Sequence, residues 1–157
     1  MRVDEELASI PYLVAHGLEL VEVVDGRVRV CLRFRPQMEY RPGILHGGSV
    51  YTVAEAAAGL TAYHTIAQGA DAVMLLRGAT VRYLRPARGD MLGSGQLDPN
   101  VAAQARASFA QTGKADVMVD VLVTDATATP VMEGGFRYAV RVPRQRATRG
   151  GLDDGGH

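Results

Sequence analysis

The chain has 157 residues, with 17 acidic and 17 basic side chains and one cysteine, Cys31. That length buries a continuous core unaided, zero net charge offers no global pull toward nucleic acid or an anionic membrane, and one cysteine excludes an internal disulfide or a cysteine-based zinc cluster. The start, Met1-Arg2-Val3-Asp4-Glu5-Glu6, lacks the apolar run of a secretory signal, and no segment approaches the roughly 18 apolar residues of a membrane span, so a soluble cytoplasmic protein is expected.

Leu7, Ile10, Leu13 and Val14 predict a short amphipathic helix from Glu5 to Val14. Leu18 to Val24 reads as a strand, followed by Asp25-Gly26 as a type I′ hairpin turn, in which both central residues need positive φ. Arg27 to Arg35 alternates. Val28, Val30, Leu32 and Phe34 face the core, while Arg27, Arg29, Cys31, Arg33 and Arg35 form a solvated outer set. Pro36 to Leu45 is read as a loop turning at Pro42-Gly43.

Ser49 to about Ala67 is the one long helix, rich in small residues (Ala54, Ala56, Ala57, Ala58, Gly59, Ala62) that let it lie close against a sheet. Ala79 to Leu84 and Met91 to Leu97 are strands. Asp98-Pro99 caps a helix running to about Gln111 and closed by Gly113. Asp116 to Thr124 alternates as a strand, and Phe136 to Val142 is the last one. The basic, glycine-rich segment 143–157 is expected to be a disordered tail. Strands with a segregated helix make an α+β domain over residues 1–142. Its antiparallel sheet wraps one central helix, which is the hotdog arrangement.

The chemistry concentrates in His46-Gly47-Gly48-Ser49-Val50-Tyr51-Thr52-Val53-Ala54-Glu55. Between Arg41 and Asp71, Glu55 is the only formally charged side chain, and an unpaired buried carboxylate costs several kcal/mol. The first turn of a helix carries backbone N–H groups with no intrahelical partner, at the positive end of the dipole. Gly47 and Gly48 thus suit polarisation of a carbonyl during acyl transfer, with Glu55 as nucleophile or general base. Gly47 and Glu55 lie eight residues apart, about 12 Å along a helix. One chain therefore cannot bring both to the same thioester carbon, and a catalytic motif requires a dimer of antiparallel helices with two equivalent sites. Against this stand plainer readings: glycines before a helix for conformation alone, and a glutamate at an exposed helix edge. His46 is assigned a supporting role, and no histidine has metal-ligand spacing with it.

His46-Gly47-Gly48 with an acid nine positions after the histidine, then Leu84-Arg85-Pro86-Ala87 ending a strand, resembles the PaaI-like hotdog acyl-CoA thioesterases from Leu18 to Val142. The resemblance implies hydrolysis of acyl-CoA or acyl-carrier-protein thioesters by a homotetramer, a dimer of dimers, without metal or organic cofactor. It assigns the polarising N–H to Gly47 and the catalytic carboxylate to Glu55. Two positions depart from it. Tyr40 stands where an amide residue is usual, and Gly59 stands where many members carry threonine or serine one turn after the acid.

Arg82, Arg85 and Arg88 are candidates for the CoA phosphates or, equally, a solvated strand edge. Tyr51, Tyr63, Met74 and Leu75 are candidates to line an acyl cavity. Two other functions stay open: a non-catalytic acyl-thioester-binding protein, suggested by Tyr40 and Gly59, and an enoyl-thioester hydratase or dehydratase that would use His46.

Overall fold

The first amphipathic segment folds as two helices rather than one in the computed structural model, which describes residues 2–143. They are α1 (Val3–Ser9) and α2 (Pro11–His16). Ile10 between them is extended (φ −97°, ψ 102°), as a residue before proline is driven to be, and Pro11 starts the second helix. The expectation for the tail lies, from residue 144 onward, outside the described residues.

Strands β1 (Leu18–Val24) and β2 (Arg27–Leu32) pair antiparallel around Asp25-Gly26. The hairpin is as expected, but only Gly26 takes positive φ (73°), so the turn is not type I′. Contacts from the next segments hold it: the Gly26 carbonyl accepts the Leu97 N–H at 2.8 Å, and Asp25 accepts Arg106 at 2.7 Å. β2 also stops three residues early, because the Asp90 carboxylate takes the Phe34 N–H at 2.7 Å and draws that backbone out of the ladder. Cys31 keeps its outward register yet is buried, 8% exposed. Arg33 bridges Glu19 at 3.1 Å and Asp90 at 2.9 Å beside the thiol, and burial pushes that thiol above its ordinary titration.

The expected loop after β2 contains a 3-10 turn, Pro36–Met38, and a small hairpin, β3 (Glu39–Arg41) with β4 (Ile44–Leu45). The long helix α3 (Gly47–Ala62) continues as a π-helical turn, Tyr63–Ala67. Then follow β5 (Val73–Tyr83), β6 (Met91–Gln96), α4 (Pro99–Thr112), β7 (Lys114–Thr124) and β8 (Pro130–Arg141). Asp98 caps α4 through the N–H groups of Asn100 and Val101, and Gly113 closes it at φ 70°, both as the sequence implies.

Six strands form one antiparallel sheet in the order β1-β2-β6-β7-β8-β5, wrapped around α3 in the hotdog fold. Close approach is built into β6. A Cβ at Gly93 would lie 2.7 Å from the Val53 side chain, and one at Gly95 would lie 2.5 Å from both the Ala57 carbonyl and the Thr61 hydroxyl. Thr61 is fully buried and fastens helix to sheet. Its hydroxyl donates to the Ala57 carbonyl at 2.7 Å and accepts the Val28 N–H at 3.1 Å. At the far side of the sheet, β5 pairs only with β8 and exposes apolar side chains, Leu75 by 46%. Among the described residues no helix is long and apolar enough to cross a membrane.

Candidate active site

The entry into α3 is fixed by His46, its N-cap, whose backbone is extended (φ −64°, ψ 139°). Its Nδ1 accepts the Gly48 N–H at 2.9 Å, which places the ring proton on Nε2. The N–H groups of Ser49 and Val50 turn back to the His46 carbonyl at 2.9 and 3.3 Å. Gly48 is thereby committed to the cap. The Gly47 N–H makes no hydrogen bond among the described residues and lies at the positive end of the helix. The turn is pinned from outside as well. The Tyr83 hydroxyl donates to the Gly47 carbonyl at 3.0 Å, and the Thr52 hydroxyl donates to the Gly48 carbonyl at 2.9 Å while sharing a 3.2 Å hydrogen bond with Tyr12.

Beyond Val50, every residue of α3 is buried except Tyr51, Glu55 and Gly59, a single stripe at helical spacing. Glu55 is therefore half-buried at the centre of the one open face. Its Oε1 accepts a hydrogen bond from the Tyr138 hydroxyl, which also lies 3.2 Å from the Glu55 carbonyl oxygen. Tyr138 comes from the inward face of β8, between Phe136 and Val140, and is 2% exposed. Burial, and then the charge of Glu55, hold its phenol far above the ordinary tyrosine range, so it stays a donor. Tyr51 is shifted the same way, by burial first and then by Glu55, and its ring packs 5.4 Å from that of Phe136. Gly59 has a structural reason: a Cβ there would sit 3.0 Å from the Tyr138 hydroxyl.

The other sequence candidates are dispersed. Tyr40 sits on β3, 64% exposed, with the Arg41 guanidinium 5.3 Å from its ring centre. Arg82 pairs with Glu133, Arg85 donates to the Pro130 carbonyl at 3.2 Å, and Arg88 donates to the Gly43 carbonyl at 3.0 Å. The three guanidinium groups thus serve three separate partners. Tyr63 lines a cavity of about 850 Å³ with Val3, Leu20, Val23 and His64 at the far end of α3, and Glu55 is not among its walls. Met74 is half-buried against the core, while Leu75 faces outward on β5.

Sequence reasoning overlooked Tyr138 and Tyr83. The available signal for Tyr138 was a hydroxyl-bearing aromatic in a core-facing register, since a buried phenol needs a hydrogen-bond partner.

A family model described as a domain of unknown function, DUF4442, matches residues 6–140. No curated protein matches the chain in sequence. Among solved structures, a Pseudomonas aeruginosa protein described as of unknown function, "Probable Thioesterase", is 24% identical with a TM-score of 0.72, covering 86% of this chain and 89% of that one. A thioesterase family protein from Silicibacter pomeroyi is 17% identical, with a TM-score of 0.70 and coverage of 90% and 96%. The E. coli PaaI protein of the phenylacetic acid degradation operon is 13% identical, with a TM-score of 0.66 and coverage of 89% and 90%. These similarities establish the fold.

Proposed function

The chain belongs to the DUF4442 family, and on that premise we propose that it hydrolyses acyl thioesters at a site shared between two copies. The observation that carries this reading is the open face of α3. It presents at Gly47 a polarised N–H that meets no acceptor among the described residues and, eight residues on, a carboxylate at Glu55 that accepts from Tyr138. The thioesterase descriptions of the structural neighbours support the same chemistry.

Gly47 of one copy donates to the thioester carbonyl, and Glu55 of the partner subunit acts on its carbon. With water as nucleophile, Glu55 takes a water proton as the oxygen adds to the carbonyl carbon. The Gly47 N–H and the helix dipole stabilise the oxyanion, the C–S bond breaks, and the thiolate leaves with a proton. The products are a carboxylic acid and a thiol. The roughly 12 Å between Gly47 and Glu55 along one helix requires the second copy. The exposed apolar edge strand β5 suits pairing with it, and a dimer of dimers follows the resemblance. Coenzyme A is the proposed carrier; for Arg82, Arg85 and Arg88 to meet its phosphates, each exposed guanidinium must exchange its present partner. His46 spends Nδ1 on the helix cap, which counts against a hydratase that needs it as partner to the acid.

Thiol release from a panel of acyl-CoAs tests the reading. Wild type is expected to turn over at least one, and Glu55→Gln to lower kcat by about 10²- to 10⁴-fold. Release from none overturns the hydrolase, and full activity in Glu55→Gln overturns the mechanism. Sedimentation of a stable monomer overturns the shared site.

A further inference from the structure

We infer that Tyr138 is a positioning residue for Glu55, donating from the sheet across the space left by Gly59 so that one carboxylate oxygen is held and the other faces the open side of α3. The inference rests on the proposed hydrolase and goes beyond it by assigning a role to a residue on a different element, 83 positions away in the chain.

Three observations converge on this assignment. The Tyr138 hydroxyl reaches Glu55 twice, at Oε1 and at the main-chain carbonyl, so the phenol ties the side chain to its own helix turn. Tyr138 is locked by packing: it is 2% exposed, between Phe136 and Val140, both fully buried. The helix makes room for it, because any side chain at Gly59 would press on the hydroxyl from 3.0 Å. A glutamate has three rotatable side-chain bonds, and on a half-open face it samples several rotamers unless something holds it. A buried donor with no freedom of its own removes that sampling, and a general base gains rate from being held where its proton is abstracted. The donor to Glu55 is thus a phenol from β8, and the glycine one turn after the acid is the complement of that phenol.

The test uses three full-length variants assayed for thiol release with the best acyl-CoA found for wild type. Tyr138→Phe keeps the ring and removes the donor. It is expected to lower kcat by about ten- to a hundredfold, with KM changed less than about threefold. Removing the phenol oxygen also vacates the space beside residue 59. Adding Gly59→Ser to Tyr138→Phe therefore offers Glu55 a hydroxyl four residues along its own helix and is expected to recover at least about fivefold of the lost kcat. Adding Gly59→Ala instead fills the same space without a donor and is expected to recover nothing.

Unchanged kcat in Tyr138→Phe overturns the inference and leaves the hydrolase standing. So does a loss that serine restores no better than alanine, which would mark Tyr138 as packing alone. A wild type silent on every thioester overturns the hydrolase itself, and any catalytic role of Tyr138 with it.

Discussion

One side of α3 rests on Gly93 and Gly95 of β6, where even a methyl group would strike the helix; the other carries Tyr51, Glu55 and Gly59 with far looser cover. The packed side has no freedom. Its separation from the sheet is set by the absence of two Cβ atoms and by the hydrogen bond from the Val28 N–H of β2 to the Thr61 hydroxyl. The open side inherits that rigidity without having to create it. A carboxylate can be placed there because the helix beneath it is held, and the Tyr138 hydroxyl then hydrogen-bonds it from β8. Stability and reactivity are in this way divided between two faces of one helix.

The division is broken most severely by Gly95→Ala. The new methyl would lie 2.5 Å from the Ala57 carbonyl and the Thr61 hydroxyl, so helix and sheet must part. A loss of about 3 kcal/mol is expected in urea unfolding at fixed protein concentration. Glu55→Gln, on the other face, keeps an acceptor for Tyr138 and should shift the same transition by less than about 0.5 kcal/mol. Equal losses in the two variants would end the distinction between faces.

A smaller effect belongs to the helix start. His46→Ala removes the acceptor for the Gly48 N–H and is expected to cost about 1 kcal/mol, with His46→Asn recovering most of it because asparagine also caps. No difference between the alanine and asparagine variants would mean that the ring does not cap.

The smallest effect lies just ahead of β6, at Asp90. The Phe34 N–H first, and the Arg33 guanidinium second, hold the Asp90 carboxyl below the usual carboxylate range. A depressed value stabilises the folded chain above the unfolded-state pKa of about 3.9, and that gain is lost as pH falls through the lower folded value. The side chain is 39% exposed, so the stability gap between wild type and Asp90→Asn should be no more than about 1 kcal/mol at neutral pH, closing below about pH 4. A gap that widens on acidification would contradict the assignment.

The elements legible in the sequence are those whose signals are local. β1 and α4 follow from alternation, the Asp98 cap and Gly113, and β7 from its buried valines. β5 begins at Val73 rather than Ala79 because an edge strand with few covered side chains shows little alternation. β8 begins at Pro130 rather than Phe136, since Gly134-Gly135 looks like a turn. Gly134 is instead a point of strand contact, where a Cβ would lie 2.4 Å from the Thr80 carbonyl oxygen.

The same distinction applies to the site. Glu55 announces itself as a charge in an apolar helix, whereas the cap at His46 starts that helix at Gly47, two residues ahead of the expected Ser49. Tyr138 is not readable, because from its own strand it is one more inward aromatic, and only the fold brings it to the acid.

The cover over Cys31 gives the molecule a clock. Its one thiol, on a residue only 8% exposed, lies within electrostatic reach of Arg33, Asp90 and Glu19, so movement of that surface bridge governs access of a thiol-directed reagent. The alkylation rate of the native chain therefore measures how often the cover at Cys31 opens, residue-specifically and without any added label. Fluctuation at the sheet's rim can in this way be timed separately from the chemistry beside α3.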